Sequence, residues 1–192
     1  GNDREEHVLF QWPFLRTLGG PGKPRMKPVR ESTEEIRDAF RSLEDIAGAN
    51  VRFNRTPNSN APATGAYPGS SDAEMTYFWS ATTATNFGDL TGALAFAPFS
   101  FSPATGVMSS GEVIFNAAEF TWSVDGSAQD IQEVAIHETL HCLGMDHNVI
   151  FYSQIWFVAK NGPLGFDRTI SQDDHIAISR IYPAPTFVSS TG

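Results

Sequence analysis

Apolar positions along the chain change period several times, and each change marks an element. Ile36, Phe40, Leu43 and Ala47 recur at helical spacing after a Ser32/Glu35 capping-box pattern, which predicts a first helix closed by Gly48. Ala49–Arg55 then alternates, with Val51 and Phe53 on one side, and reads as a strand. Residues 56–72 are rich in Pro, Asn, Ser, Ala and Gly and read as a long loop. Ala73–Trp79, Gly92–Ala97 and Gly111–Phe115 read as further strands, the last two separated by a Ser/Pro/Gly turn over 98–110. Ser127 and Asp130 open a second helix with Ile131, Val134 and Leu140 on its apolar face. Ser171 and Asp174 cap a third, which carries Ile178 and Ile181 and stops at Pro183. Before all of these, residues 1–30 form an irregular arm broken by Pro and Gly, with His7–Trp12 as a short edge strand; residues 184–192 are a tail.

This order gives an α+β fold, with one domain over 31–183. A helix between early strands allows a parallel crossover, whereas the short later connections require at least one antiparallel edge strand. The expected sheet is twisted, with about five mostly parallel strands, and is accompanied by three helices.

Composition narrows the class. The chain has 192 residues, 41% hydrophobic and 12% aromatic, which suits a folded core. A net charge of −9 disfavours nucleic acid and anionic membranes as partners, but tolerates cationic peptides and Ca²⁺. No run of about 18 apolar residues offers a membrane span. The single cysteine, Cys142, excludes an intrachain disulfide; it reads as a small buried apolar residue, since adjacent helix positions do not face one another. Nothing bears on the oligomeric state, and monomer is the default.

The chemistry lies in residues 137–147, His-Glu-Thr-Leu-His-Cys-Leu-Gly-Met-Asp-His. On a helix, His137 and His141 lie one turn apart on one face and can grip one Zn²⁺. Glu138 stands beside them, where it can deprotonate a water activated by the metal. Gly144 can take positive φ and turn the chain, so that His147 returns as a third ligand. Three ligands leave a fourth position open, the arrangement of catalytic rather than structural zinc. His7 and His175 are isolated and read as ordinary surface or core residues.

The eleven-residue motif resembles that of the metzincin metallopeptidases, and the flanks resemble their matrixin branch. Ser153-Gln154-Ile155-Trp156 stands at the interval where that branch has Ala-Leu-Met-Tyr, with Ile155 replacing the Met of the floor beneath the zinc. Ile170–Tyr182 resembles the family's last helix, Gly92–Ala97 its edge strand, and Gly111–Asn116 its Gly-Asp-Ala-His-Phe-Asp. The resemblance implies the zincin-like metzincin fold, divided at Gly144 into an upper and a lower part. It implies a secreted, zinc-dependent endopeptidase acting on extended protein or peptide substrates. Ile for Met is a swap of similar volume, so the site is expected to survive it.

Further roles follow from the resemblance. Ala95 and Phe96 on the edge strand, with Glu133, Trp156 and Phe157, would contact substrate. Glu133 is either a specificity residue in the S1′ pocket or an exposed helix carboxylate. Phe157 stands where astacins place an extra tyrosine ligand, so no tyrosine switch is expected, and Tyr152 reads as a pocket or core residue. Phe96, Ile114, Ala81 and Thr83 occupy the positions of a second, structural zinc, which is expected to be absent. Asn116, Glu119 and Asp89 fall at or near a calcium site, or form a solvated acidic loop. Asp173 is the favoured brace of the turn around Ile155, and Asp174 is either a helix cap or the receptor of a free N-terminus. The other functional class is a non-catalytic zinc module that only holds a peptide; Glu138 weighs against it, since binding alone needs no general base.

Overall fold

The computed structural model describes residues 8–11, 29–56, 74–156 and 168–185. Its elements in chain order are β1 (Val8–Gln11), α1 (Val29–Glu44), β2 (Phe53–Thr56), β3 (Glu74–Ser80), β4 (Ala84–Thr85), β5 (Gly88–Asp89), β6 (Ala95–Phe96), β7 (Phe99–Phe101), β8 (Met108–Asn116), β9 (Trp122–Ser123), β10 (Gln129–Asp130), α2 (Ile131–Cys142) and α3 (Gln172–Ile181).

The main sheet runs β2-β1-β3-β8-β6, with β7 also on β8. The first four strands are parallel, and β6 and β7 are antiparallel to β8. The edge is therefore antiparallel, as the short connections require. It divides into two pieces at Ala97–Pro98, because proline has no N–H for the ladder. Two small two-stranded pairs, β4–β5 and β9–β10, lie outside this sheet.

Several boundaries differ from the sequence reading. β1 is not an edge strand: it lies between β2 and β3, so part of the N-terminal arm belongs to the sheet. α1 begins at Val29, before Ser32, which is buried inside the helix, and it ends at Glu44, short of Gly48. Ile46 is buried where Ala47 was expected. The turn over 98–110 contains β7, and the strand read at 49–55 starts only at Phe53. Of the loop read at 56–72, Thr56 belongs to β2 and the rest lies outside the described residues.

The core fills the space between the sheet and the two long helices. Ile36, Ala39, Phe40 and Leu43 form the buried stripe of α1. Phe40 meets Phe53 and Tyr77 at ring distances of 4.8 and 5.4 Å. Trp79, Phe115 and Trp122 form a second aromatic cluster, with centroids 4.5–5.2 Å apart. α2 is buried on nearly every side, which makes it the central helix.

Its start is fixed by Asp130, not Ser127: Asp130 Oδ1 accepts from Glu133 N at 2.8 Å. Arg168 donates to both Asp130 oxygens at 3.1 and 2.7 Å, and its guanidinium lies 2.9 Å from Glu35 on α1. One cation thus ties the start of the central helix to its neighbour.

The other end of α2 sets a steric condition on the sheet. A Cβ at Gly111 would lie 2.9 Å from Cys142 Sγ. Gly111→Ala is therefore expected to cost about 1–3 kcal/mol by overpacking. Cys142→Ala in the same chain should recover much of that loss. Thermal unfolding of both single variants and the double variant measures the coupling, and simple additivity of the two losses would contradict the contact.

Candidate metal centre

α2 presents His137 and His141 on adjacent turns. After Cys142 the chain reverses: Met145 N donates to Leu140 O at 3.0 Å, and Gly144 N to His141 O at 2.9 Å. Gly144 has φ of +91°, which strains any other residue. This reversal returns His147 to the helix face.

The three Nε2 atoms lie 3.1–3.2 Å from one another. Zn–N bonds of about 2.0–2.1 Å at tetrahedral angles separate ligand nitrogens by about 3.3 Å. The trio therefore already has close to the spacing of three corners of a zinc tetrahedron.

Their protonation also suits a cation. His137 Nδ1 faces Gln154 O at 2.6 Å, and His141 Nδ1 faces Met145 O at 2.9 Å. A carbonyl can only accept, so each Nδ1 carries the hydrogen and each Nε2 keeps its lone pair. Burial, with His141 alongside, pushes His137 down to about 4, and burial lowers His141 as well. Both are neutral near pH 7, so two Nε2 lone pairs face the point that His147 Nε2 also borders, an arrangement that suits a cation. Among the described residues this is the one group of three or more His, Cys, Asp or Glu side chains placed to hold a metal.

The trio opens into a cleft of about 560 Å³. One wall is Gly92–Ala97, which includes β6; the other holds Glu133, Val134 and the histidines, with Gln154 and Trp156 beyond. Ala95, Phe96, Glu133 and Trp156 thus all line it, as does Phe120, which no sequence signal marked. Phe157 lies outside the described residues. Tyr152 is neither pocket nor core: it is 72% exposed, with its ring against Phe151. Glu138 lines the cleft, is only 6% exposed, and is pushed up to about 8 by burial. A second buried carboxyl, Glu112, is raised to about 7 by burial, with Oε2 unpartnered, and does not line this cleft.

The turn that presents Gln154 O to His137 is held by Asp174 rather than Asp173. Asp174 is fully buried; its oxygens accept from Ser153 Oγ at 2.5 Å, Gln154 N at 2.7 Å and Ser171 Oγ at 2.7 Å. It completes the capping box of α3 at the same time. Asp173 instead accepts from Asn148 Nδ2 at 3.1 Å, and Asn148 also bonds Ser153 Oγ. Asn148, Ser153 and Gln154 are supports that the sequence did not single out. Ile155, next in the chain, is fully buried in the core.

Elsewhere, Phe96 pairs opposite Ile114 in the ladder, while Ala81 and Thr83 sit in the loop before β4. Cys142 is buried beside Gly111, and burial pushes its thiol up. His175 is exposed, and His7 lies outside the described residues. Asp89 is exposed and accepts from Thr91 N and Oγ1 at 3.0 and 2.7 Å. Asn116 is fully buried: its Oδ1 accepts from Ala118 N and Glu119 N, and its Nδ2 faces Leu90 O, Ala93 O and Glu119 Oε2.

A mixed sheet over a central helix, with three histidines converging beside a carboxylate in a strand-edged cleft, defines the zinc metallopeptidase class. The family model for Matrixin matches residues 22–183, and the chain belongs to that family. A search of curated proteins gives no match. Among the described residues, no helix is long and apolar enough to cross a membrane.

Proposed function

We propose that this matrixin is a zinc-dependent endopeptidase that cleaves extended polypeptides outside the cell. The observation that carries the reading is the convergence of three histidine Nε2 atoms in the cleft that Glu138 also lines. His137, His141 and His147 would hold the zinc, which when bound supplies Lewis acidity to a water and to the scissile carbonyl. Glu138 takes the proton of the attacking water and delivers it to the leaving amine. Its burial favours holding a proton, and positive charge at the trio favours releasing one, so the group can serve in both directions. β6 bonds β8 along one side and borders the cleft, so an extended substrate can add to its other side by backbone pairing.

Backbone pairing selects little, so specificity falls to side chains such as Glu133. A carboxylate in the cleft favours a polar or basic P1′ residue. Glu133→Leu should shift the preference toward large aliphatic side chains by about tenfold or more. Cleavage profiling in a peptide library reads this directly, and an unchanged profile would sink the assignment.

Metal dependence tests the proposal as a whole. Cleavage of an unfolded polypeptide should stop on chelation and return with one equivalent of zinc; activity that survives complete metal removal would refute it.

A further inference from the structure

The family resemblance places a calcium ion near Asn116 and Glu119, and the geometry points to a different device. Asn116 Nδ2 lies 3.0 Å from Leu90 O, 2.9 Å from Ala93 O and 3.0 Å from Glu119 Oε2. Glu119 Oε2 also accepts from Gly92 N at 2.8 Å. Three oxygens from two segments therefore converge on one point, as they do around a cation. These distances are hydrogen-bond lengths, not the roughly 2.3–2.6 Å of calcium coordination.

The amide cannot be turned the other way. Its oxygen end meets two N–H groups, Ala118 and Glu119, each at 3.1 Å. Its nitrogen end meets acceptors only. Reversing it would set donor against donor and oxygen against oxygen. Asn116 thus has no oxygen to give a metal, and its nitrogen occupies the position a metal would take. Asp89, the third expected ligand, turns its Oδ1 to Thr91 N and Oγ1, and no hydrogen bond links it to the Asn116 cluster. The residues do not fit calcium.

We infer that the Asn116 amide replaces a cation in this chain, clamping loop 90–94 to the 116–119 turn without calcium. The clamp lies immediately before β6, and Asn116 N also bonds Leu94 O at 2.9 Å. It therefore sets the position of the strand that borders the cleft, and makes that positioning independent of calcium supply.

The substitution Asn116→Asp should reverse the device. The carboxylate sets an oxygen against Leu90 O, Ala93 O and Glu119, and a divalent cation relieves the repulsion. Thermal unfolding of the zinc-saturated full chain, calcium-free and in millimolar calcium, reads this without reference to peptidase activity. The wild-type Tm should not move with calcium. Asn116→Asp should melt roughly 5–10 °C lower without calcium and recover part of the loss with it. Asn116→Ala should melt lower and ignore calcium, since it offers no oxygen. A wild-type Tm that climbs with calcium would overturn the inference, and that arm needs no variant to fold. An Asn116→Asp protein that folds and is indifferent to calcium would overturn it too.

Discussion

His141→Ala is expected to abolish tight zinc binding and hydrolysis together. Three imidazoles are the whole ligand set in the described residues, and each sets its Nε2 at one corner of a triangle. Removing one leaves two nitrogens 3.2 Å apart and no third donor to complete the face. Altering only an outer partner of a zinc ligand typically costs about 10–100-fold in affinity, so losing a ligand should cost at least about 100-fold. Burial that holds His137 down to about 4 keeps it a neutral ligand across mildly acidic pH, so protons compete weakly for it in the wild type. Zinc content after dialysis, with Tm in saturating zinc and after chelation, checks this. The variant should retain no stoichiometric zinc, and the gap between its two Tm values should close. One zinc per chain surviving dialysis would show that the metal is held elsewhere.

Glu138→Ala is expected to leave zinc in place and remove the proton transfer. Glu138 bonds no histidine in the described structure, so the ligand geometry does not depend on it. General acid–base groups contribute about 10²–10⁴-fold, and the loss should fall on kcat more than on KM. Stability should not suffer as it would for an ordinary core residue. A carboxyl pushed up to about 8 is disfavoured as an anion by its surroundings, so above about pH 4.5 the fold loses stability relative to the unfolded chain, where the group ionises freely. In metal-free protein this cost appears as pH rises from about 4.5 through 8, and the alanine variant should lack it. Unfolding of both metal-free proteins across that range tests the sign.

The ligand trio was legible because helix geometry fixes it. Positions four apart share a face whatever the tertiary context, and Gly144 announces the reversal that brings His147 back. Pairing is not local in this sense. His7–Trp12 reads as a short edge strand from its residues, yet nothing in those residues states that β2 and β3 flank β1 on both sides. Asp173 and Asp174 are adjacent at the start of α3, about 100° apart around the axis. Their sequence gives both a capping role, and only the fold decides that Asp174 faces Ser153 and Gln154. Tyr152 reads as a pocket or core residue, but its place in the turn leaves it to solvent. At Asn116 the sequence marked the position without the direction of its amide. That direction decides between a cation ligand and a cation substitute, and it is set by backbone groups from residues 90, 93, 118 and 119.

A cleft that performs hydrolysis differs from one that simply holds a peptide around a metal in needing Glu138. Wild type and Glu138→Ala, each carrying one zinc per chain, should be incubated with the same unfolded polypeptide and the new amino termini counted by mass spectrometry. Termini should accumulate with the wild type and fall by about 10²–10⁴-fold with the variant. Equal counts from both proteins, or none from a wild type that holds its zinc, would contradict Glu138-dependent hydrolysis.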